Sequence, residues 1–299
     1  MAPEYGDTLV PSEFPSIHPE VFSTKGGTLY LKSPGVVLIA APAVNLGGMK
    51  KFLDGYPKDY KFDRYFDDPT KLSPVDQLIK IAGQVCYASY GPVRTFNKDV
   101  EGYVENLIHS GHGSVLEHPN FSFLLYGISR SNSHEIVRHR AGVGYSQLSQ
   151  RFVSGRVLRF VERPEYQGDE TLHNDFEETI DFIAKKYEWR TSYLLAKQKA
   201  GDKILSAEAK TDLRKKVQQA ARSVLTNEAE TVIVMTGNIR AWRHMISMRA
   251  SEHAEVEIRK TFFNVYQVFD KVAPTEFRDF KVVNLPDGTM AVKTEYPKV

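Results

Sequence analysis

The chain has 299 residues, 41% hydrophobic and 25% charged, which is the composition of a soluble globular protein. The net charge of +2 argues against a general nucleic-acid-binding protein, and the single cysteine excludes an internal disulfide and a cysteine-based zinc site. No apolar run approaches the ~20 residues of a membrane span, and no basic-then-apolar signal peptide begins the chain, so we expect a cytoplasmic protein without membrane contacts.

Residues 1–35 combine prolines and glycines with few periodic apolar positions, which predicts an N-terminal extension in the form of an extended arm. We expect residues 36–299 to form a single catalytic α+β domain. Ser73, Pro74 and Asp76 are typical of a helix start, because serine caps the first turn and proline suits its first position. Other elements predicted in this half are a strand at 36–41, a loop at 47–72, a helix at 98–110 and a strand around 121–125.

The second half of the chain is predicted to be mainly helical. Residues 129–140 are predicted to form a helix and residues 152–161 a strand. Further helices are predicted at 174–200, 206–225, 239–249 and 252–272, followed by two short strands around the turn Pro286-Asp287-Gly288. Strands early and helices late indicate the α+β class, with a mixed or antiparallel sheet flanked by helices and a helical C-terminal half.

The densest group of functional side chains lies at the end of the helix predicted at 129–140. Arg138-His139-Arg140 is followed, after eight residues that include two glycines, by Ser149-Gln150-Arg151-Phe152. Guanidinium groups bind phosphate and carboxylate through two hydrogen bonds at a time. Three of them close together are costly unless an anion lies among them, so the segment predicts a site for a phosphorylated ligand.

Arginines recur near the C-terminus. Arg240, Arg243 and His244 would share one face of the helix predicted at 239–249, because positions three and four apart are neighbours on a helix. Arg222 is a lone arginine in a segment of small and apolar residues. If it is buried, its guanidinium needs an internal carboxylate or a ligand as a partner.

Four segments in the same order resemble the flavin-dependent thymidylate synthase family, over roughly residues 75–160 and 210–280. The family signature is Arg-His-Arg, seven residues, then Ser-x-Arg-aromatic, and this chain has one extra residue between Arg140 and Ser149. The other similar segments are Ser110-Gly-His112-Gly-Ser114-Val-Leu-Glu117-His118, Asn238-Ile-Arg240 and Met248-Arg249-Ala-Ser-Glu-His253-Ala-Glu-Val-Glu257.

The resemblance implies an enzyme that methylates C5 of dUMP without a cysteine nucleophile. Methylenetetrahydrofolate would donate the carbon, and FAD reduced by NADPH would supply the hydride. The family is homotetrameric, with FAD shared between subunits. The implied catalytic residue is Arg249, which would favour an anionic uracil N3 and so push electron density toward C5.

The resemblance also implies two sets of binding residues. The implied FAD contacts are Ser114, Arg138, His139, Arg140, Gln147, Asn238, Arg240 and His244. The implied nucleotide contacts are Glu135, Arg138, Gln147, Leu148, Ser149, Gln150, Arg151, Arg222 and Arg249. Many relatives carry glutamine at the position of Glu135, and a carboxylate repels phosphate, so we expect Glu135 to face the sugar, the base or an arginine.

The residues leave alternatives open. The same chemistry could act on another pyrimidine nucleotide such as UMP, since one sequence does not show the packing around the ribose 2′ position. A non-enzymatic RNA- or phosphate-binding protein is the other alternative, with Tyr145 and Phe152 stacking on bases beside the arginines. Cys86 follows an apolar helix pattern, which favours a small core residue over a nucleophile.

Two further groups of titratable residues have simpler explanations. Four histidines lie close in sequence without the spacing of helix-borne zinc ligands, so we predict no metal site. These histidines are His112, His118, His134 and His139. Three acidic residues are expected to form ion pairs with Arg249 or Arg259 rather than to act as paired catalytic acids. They are Glu252, Glu255 and Glu257.

Overall fold

A five-stranded antiparallel sheet forms the centre of the fold in a computed structural model that describes residues 14–153, 158–207 and 209–299. In spatial order its strands are β1 (Ser16–Ile17), β4 (Gly35–Ala40), β5 (Asn120–Ser129), β8 (Glu230–Asn238) and β6 (Val143–Gln147). Along β5 and β8, buried positions alternate with partly exposed ones, because successive side chains point to opposite faces of a sheet.

Two smaller sheets flank this centre. The first contains β2 (Val21–Ser23), β3 (Leu29–Leu31) and β7 (Arg159–Val161), with β2–β3 antiparallel and β3–β7 parallel. The second is the hairpin of β9 (Lys281–Asn284) and β10 (Met290–Lys293), which encloses the predicted turn. The predicted α+β class, with antiparallel and mixed sheets flanked by helices, is confirmed.

Helices cover the apolar side of the central sheet. Those in the described residues are α1 (Met49–Asp54), α2 (Pro74–Tyr87), α3 (Val100–His109), α4 (Arg130–Ile136), α5 (Glu170–Lys199), α6 (Lys210–Ala221), α7 (Ile239–Arg249), α8 (Val256–Val272) and α9 (Pro274–Phe277). Phe123 of β5, Trp242 of α7 and Phe269 of α8 meet in the core, with Phe123 edge-on to the other two rings. Among the described residues, no helix combines the length and the apolar character that a bilayer crossing requires.

The helix start predicted at Ser73 is confirmed. The Ser73 hydroxyl accepts a hydrogen bond from the Asp76 amide at 3.1 Å, and Pro74 occupies the first helical position of α2. Serine at this position satisfies an amide that has no partner within the helix. The helix predicted at 98–110 and the final hairpin are also present.

Two N-terminal segments differ from the prediction in their described residues. The segment 47–72 is not a plain loop, because it holds α1 and the short 3-10 helices Lys58–Tyr60 and Phe62–Asp67, packed around Leu53 and Tyr65. Elements this short lack the repeated apolar spacing that identifies a helix in sequence. Residues 14–35, the described part of the extended arm or partly ordered extension predicted before residue 36, contribute β1, β2 and β3; β1 pairs with β4, which follows directly, and β3 pairs with β7, far along the chain.

The structure also differs from the prediction around the arginine-rich segment. The helix expected at 129–140 ends at Ile136, and a strand, β6, follows the arginines. In the described part of the segment expected to be a strand at 152–161, Arg159–Val161 form β7 and residues 152–153 form no strand; residues 154–157 lie outside the described ones. The C-terminal half contains β8, which was not predicted, and the helices expected at 206–225 and 252–272 begin later, at Lys210 and Val256.

Candidate functional site

The arginine-rich turn is held in place by α4 and β6. Glu135 lies in the last turn of α4, and Arg138, His139 and Arg140 follow its end. The Tyr145 hydroxyl of β6 lies 3.0 Å from the Ile136 carbonyl and 2.5 Å from the His139 carbonyl. The phenol thereby ties β6 to the last residue of α4 and to the turn that follows it.

Arg249, at the end of α7, reaches this turn from the other side. Its Nε–H donates to Nε2 of His139 at 2.8 Å, and its Nη1 donates to Oε2 of Glu135 at 2.6 Å. The remaining terminal nitrogen, Nη2, makes only a 3.5 Å contact with the Glu135 carbonyl. Nε and Nη1 of the guanidinium are thus held by protein groups, and Nη2 can donate a hydrogen bond to a ligand. We call Glu135, His139, His244 and Arg249 the Arg249 group.

His139 is a neutral acceptor in this group. Burial, followed by the charge of Arg249 and by the neighbouring His244, lowers the pKa of His139 to about 4. The His244 ring lies edge-on to the His139 ring, with centroids 6.0 Å apart. Because Nε2 accepts from Arg249, the neutral imidazole carries its proton on Nδ1. The imidazole therefore orients the guanidinium without adding a charge.

The remaining residues near the turn present cations and donors. Arg138 and Arg140 are exposed, and neither forms an ion pair within the described residues. Arg240 donates to Glu117 at 2.6 Å and packs over Gly113, where an added Cβ would come within 2.9 Å of its Nε. The contact explains why the position next to Ser114 is a glycine. Ser114 itself is exposed.

A second set of cations lines a cavity of about 430 Å³ on the other side of α4. Arg130 and Arg222 lie side by side there, and burial together with the charge of Arg222 lowers the pKa of Arg130. Its wall also includes His134, Gln150 and Gln219, so we call it the Arg222 cavity. Two guanidinium groups side by side repel each other unless an anion lies between them.

Two buried donors next to this cavity have no acceptor. Nε2 of Gln150 and Nε of Arg151 are inaccessible to solvent and have no hydrogen-bond partner among the described residues. A buried donor left unpaired costs about 1–3 kcal/mol. Gln150 lines the cavity with Arg130 and Arg222, and Arg151 follows it in the chain, so this part of the structure offers donors and positive charge, which suits a phosphate.

Four predicted ligand contacts also have structural partners. Nε2 of Gln147 donates to Ser133 at 3.0 Å and to Thr231 at 3.1 Å. The Ser149 hydroxyl accepts from the Arg151 amide at 3.3 Å, as in a turn, and the Leu148 amide bonds to β8 at 2.8 Å. Asn238 caps α7 by accepting from the Ala241 amide at 2.9 Å. These contacts fix the backbone of the segment.

Two predictions about arginine and cysteine were wrong. Arg243 does not join Arg240 and His244 on an exposed face, because it is buried and pairs with Asp279 at 2.7 Å. Cys86 is exposed rather than part of the core, since it falls in the last turn of α2 beyond its buried positions.

The acidic residues after Arg249 also have other partners than expected. Glu255 and Glu257 pair with Arg163 rather than with Arg249 or Arg259, and Glu257 also accepts from Ser129. Arg249 itself pairs with Glu135, which agrees with the expectation that Glu135 faces an arginine.

Sequence reasoning missed Arg130 and His134. Both lie on α4, and they line the Arg222 cavity while Glu135 of the same helix faces Arg249. The one signal available was a second arginine at the start of the helix that ends before Arg138. The partner that makes Arg130 significant, Arg222, lies 92 residues later and only the fold brings it close.

Comparisons with known proteins identify the family to which the chain belongs. A sequence profile of the family described as thymidylate synthase complementing protein matches residues 70–275, which include every residue of both sites above. A flavin-dependent thymidylate synthase of Mycobacterium tuberculosis (strain ATCC 25618 / H37Rv) is 45% identical over 212 residues, covering 71% of this chain and 82% of the relative. A flavin-dependent thymidylate synthase of Mycobacterium sp. (strain JLS) is 44% identical over 220 residues, covering 73% and 84%.

Proposed function

The chain is an enzyme of the thymidylate synthase complementing protein family, and we propose that it methylates C5 of dUMP to give dTMP. In this proposal methylenetetrahydrofolate donates the carbon and NADPH is the reductant. No cysteine acts as nucleophile in this proposal, and Cys86, at the end of α2, belongs neither to the Arg249 group nor to the residues that line the Arg222 cavity. The observation that carries the proposal is the Arg249 group, a guanidinium oriented by a neutral histidine with one terminal nitrogen available.

We assign the activation of uracil to Arg249. Uracil C5 is a weak nucleophile, and an anionic N3 increases its electron density. A guanidinium at N3 favours that anion, and each unit by which it lowers the N3 pKa corresponds to about 1.4 kcal/mol. The contacts of Nε with His139 and of Nη1 with Glu135 fix the guanidinium before substrate arrives. A donor fixed in advance needs no reorganisation during the reaction.

We assign the nucleotide phosphate to the Arg222 cavity. Arg222 and Arg130 offer charge, and the unpaired Nε2 of Gln150 and Nε of Arg151 offer donors. Each charge-assisted hydrogen bond to a phosphate oxygen contributes roughly 1.5–3 kcal/mol. The hydroxyl of Ser149 and the backbone of Leu148 complete the predicted contacts.

FAD fits the residues on the outer side of the turn. The exposed forks of Arg138 and Arg140, without an ion-pair partner in the described residues, suit the pyrophosphate of a dinucleotide. Reduced flavin, when bound, supplies the hydride. We propose that Ser114, Asn238, Arg240 and His244 hold the cofactor together with these arginines, and that His139 contributes through Arg249.

An absorbance spectrum of the purified protein with added FAD tests the proposal. We expect a bound flavin spectrum and faster bleaching by NADPH in the presence of dUMP. UMP at the same concentration serves as the matched control for the ribose 2′ position, and equal acceleration by UMP would reassign the substrate. A folded sample that binds no flavin would contradict the proposal and leave a phosphate or RNA ligand for the arginines.

We also propose a homotetramer in which one nucleotide meets the Arg249 group of one subunit and the Arg222 cavity of another. Its support is that the described contacts place the two sites on different sides of α4. Tetramers made only of subunits with Arg249→Ala, or only of subunits with Arg222→Ala, would each lose most of their activity. Mixed tetramers should regain activity, because some of their sites then contain both arginines. Mixtures that stay inactive would contradict the shared site.

A further inference from the structure

The outer face of α5 carries an exposed aromatic surface that the proposed reaction does not use. Phe182, Trp189 and Tyr193 are 58%, 60% and 55% exposed, although large aromatic side chains are normally withdrawn from water. The Trp189 and Tyr193 rings stack at 5.4 Å, and Nζ of Lys186 lies 5.2 Å from the Phe182 ring. These contacts make the surface ordered as well as apolar.

Charged residues bracket the aromatic rings on the same face. Exposed Glu178 lies one turn before Phe182, and exposed Lys197 lies one turn after Tyr193. At 3.6 residues per turn, the positions from 178 to 197 that form this face span roughly 100° of the helix circumference. We call Glu178, Phe182, Lys186, Trp189, Tyr193 and Lys197 the α5 face.

The α5 face is complementary to itself when reversed. In an antiparallel pair centred between residues 187 and 188, position 178 meets 197, position 182 meets 193, and position 186 meets 189. Each of these pairs is favourable: Glu178 with Lys197, Phe182 with Tyr193, and Lys186 with the Trp189 ring. A twofold axis repeats each pair, as an isologous interface requires.

We propose that the α5 face binds a second copy of this chain, as an antiparallel helix pair about a twofold axis. A fully buried ring removes about 200 Å² from water, and these rings are 55% to 60% exposed, so each has a little more than half of that area left to bury. The six rings of such a pair would therefore remove roughly 700 Å² from water. A standard stable interface buries about 1,600 Å². The contact is therefore a reversible association step, which adds to any other contact between subunits and depends on protein concentration.

Sedimentation velocity over a concentration series tests the contact. Glu178→Lys places like charges opposite each other in both symmetry-related pairs and should weaken this association step about tenfold. Lys197→Glu should do the same, although it also removes the 3.0 Å pair of Lys197 with Asp202. Combined in one chain, the two changes restore opposite charges, so the double variant should associate as the original protein does.

A second variant combines Trp189→Ser with Tyr193→Ser. It should weaken the association through the α5 face by a hundredfold or more, because central aromatic contacts contribute most to such an interface. Ile204→Ser is the matched control, because Ile204 is exposed but lies outside α5. Circular dichroism verifies that each variant is folded. Folded aromatic variants with unchanged association would overturn the interface. Weakening by both charge reversals without recovery in the double variant would overturn the antiparallel register.

Discussion

Arg249 is the residue on which the proposed chemistry depends most directly. We expect Arg249→Ala to retain bound flavin while losing methylation by between about tenfold and about 150-fold. That range corresponds to one charge-assisted hydrogen bond of roughly 1.5–3 kcal/mol. The flavin spectrum and the rate of dTMP formation are the two measurements, since a structural role alone would disturb both.

Arg278→Ala is the matched control for Arg249→Ala. Arg278 is a partly exposed arginine whose partners are Glu101 and Glu105 of α3, so its loss should leave methylation unchanged. Full activity of Arg249→Ala would contradict the assignment of uracil activation to this guanidinium.

His139 makes the Arg249 group sensitive to acid. Its pKa of about 4 in the folded chain lies below the ordinary value of 6.5, so the unfolded chain binds more protons between these values. The contribution of His139 to stability is therefore present above pH 6.5 and decreases as pH falls toward 4. Because glutamine cannot gain this charge, the melting temperature of His139→Gln should fall less between pH 7 and pH 5 than that of the original chain.

His253→Gln provides the control for the histidine experiment, because the His253 side chain is 89% exposed and pairs only with Glu252 in the described residues. Its melting temperature should follow that of the original chain across the same pH range. An identical loss of stability with and without His139 would contradict the neutral imidazole.

At the residue level the sequence predicted the individual groups better than their partners. Arg222 was expected to need a partner, and it lines a cavity, but Arg130 was missed because the two are brought together only by α4 and the 3-10 helix Arg222–Val224. The pairing of Arg249 with His139 could likewise not be predicted from the sequence. Spacing rules relate residues within one helix, whereas these contacts join different elements.

Among the secondary-structure elements, the turn from α4 to β6 depends on Gly142. Its φ of +71° lies in the left-handed region, and an added Cβ would lie 3.0 Å from Nδ2 of Asn238. We expect Gly142→Ala to lower the free energy of unfolding by about 1–2 kcal/mol, the usual cost of that region for a residue with a Cβ. Urea unfolding measures the change.

Gly144→Ala is the control, two residues further on, where an added Cβ meets nothing within 4 Å. Its change should stay within about 0.5 kcal/mol. Equal destabilisation by both substitutions would show that the conformation of Gly142 is not the cause.

Elements with local signals were predictable, and those that depend on distant partners were not. The start of α2 was identified from Ser73 and Pro74, whose effects act within one turn. By contrast, β1 and β3 are only two and three residues long, and their partners β4 and β7 determine that they form strands. The helix before the arginines ends at Ile136, where Tyr145, from β6, contacts the carbonyls of Ile136 and His139, a contact that spacing within one helix does not show.

Across the whole molecule, the α2–α3 region and the C-terminal region meet at a buried carboxyl pair. Glu276 of α9 is fully buried, and among the described residues neither of its side-chain oxygens has a hydrogen-bond partner, nor does Oδ1 of Asp76 in α2. Burial, followed by the charge of Asp76, raises the pKa of Glu276 well above its usual value. A proton on Glu276 can be donated to Asp76, and two carboxylates this close cannot both ionise without a large cost.

The carboxyl pair predicts a loss of stability in alkali. Because the folded chain holds a proton that the unfolded chain releases above about pH 4.5, the stabilisation is complete below that value and decreases as pH rises toward the folded pKa of Glu276. Glu276→Gln keeps a donor for Asp76 at every pH, so its melting temperature should decrease less between pH 6 and pH 9. Glu295→Gln, at an exposed acid of the same C-terminal region, should behave as the original chain does. If Glu276→Gln decreased in parallel with the original chain, Glu276 would have to be ionised throughout, and the contact between α2 and α9 would need another source of stability.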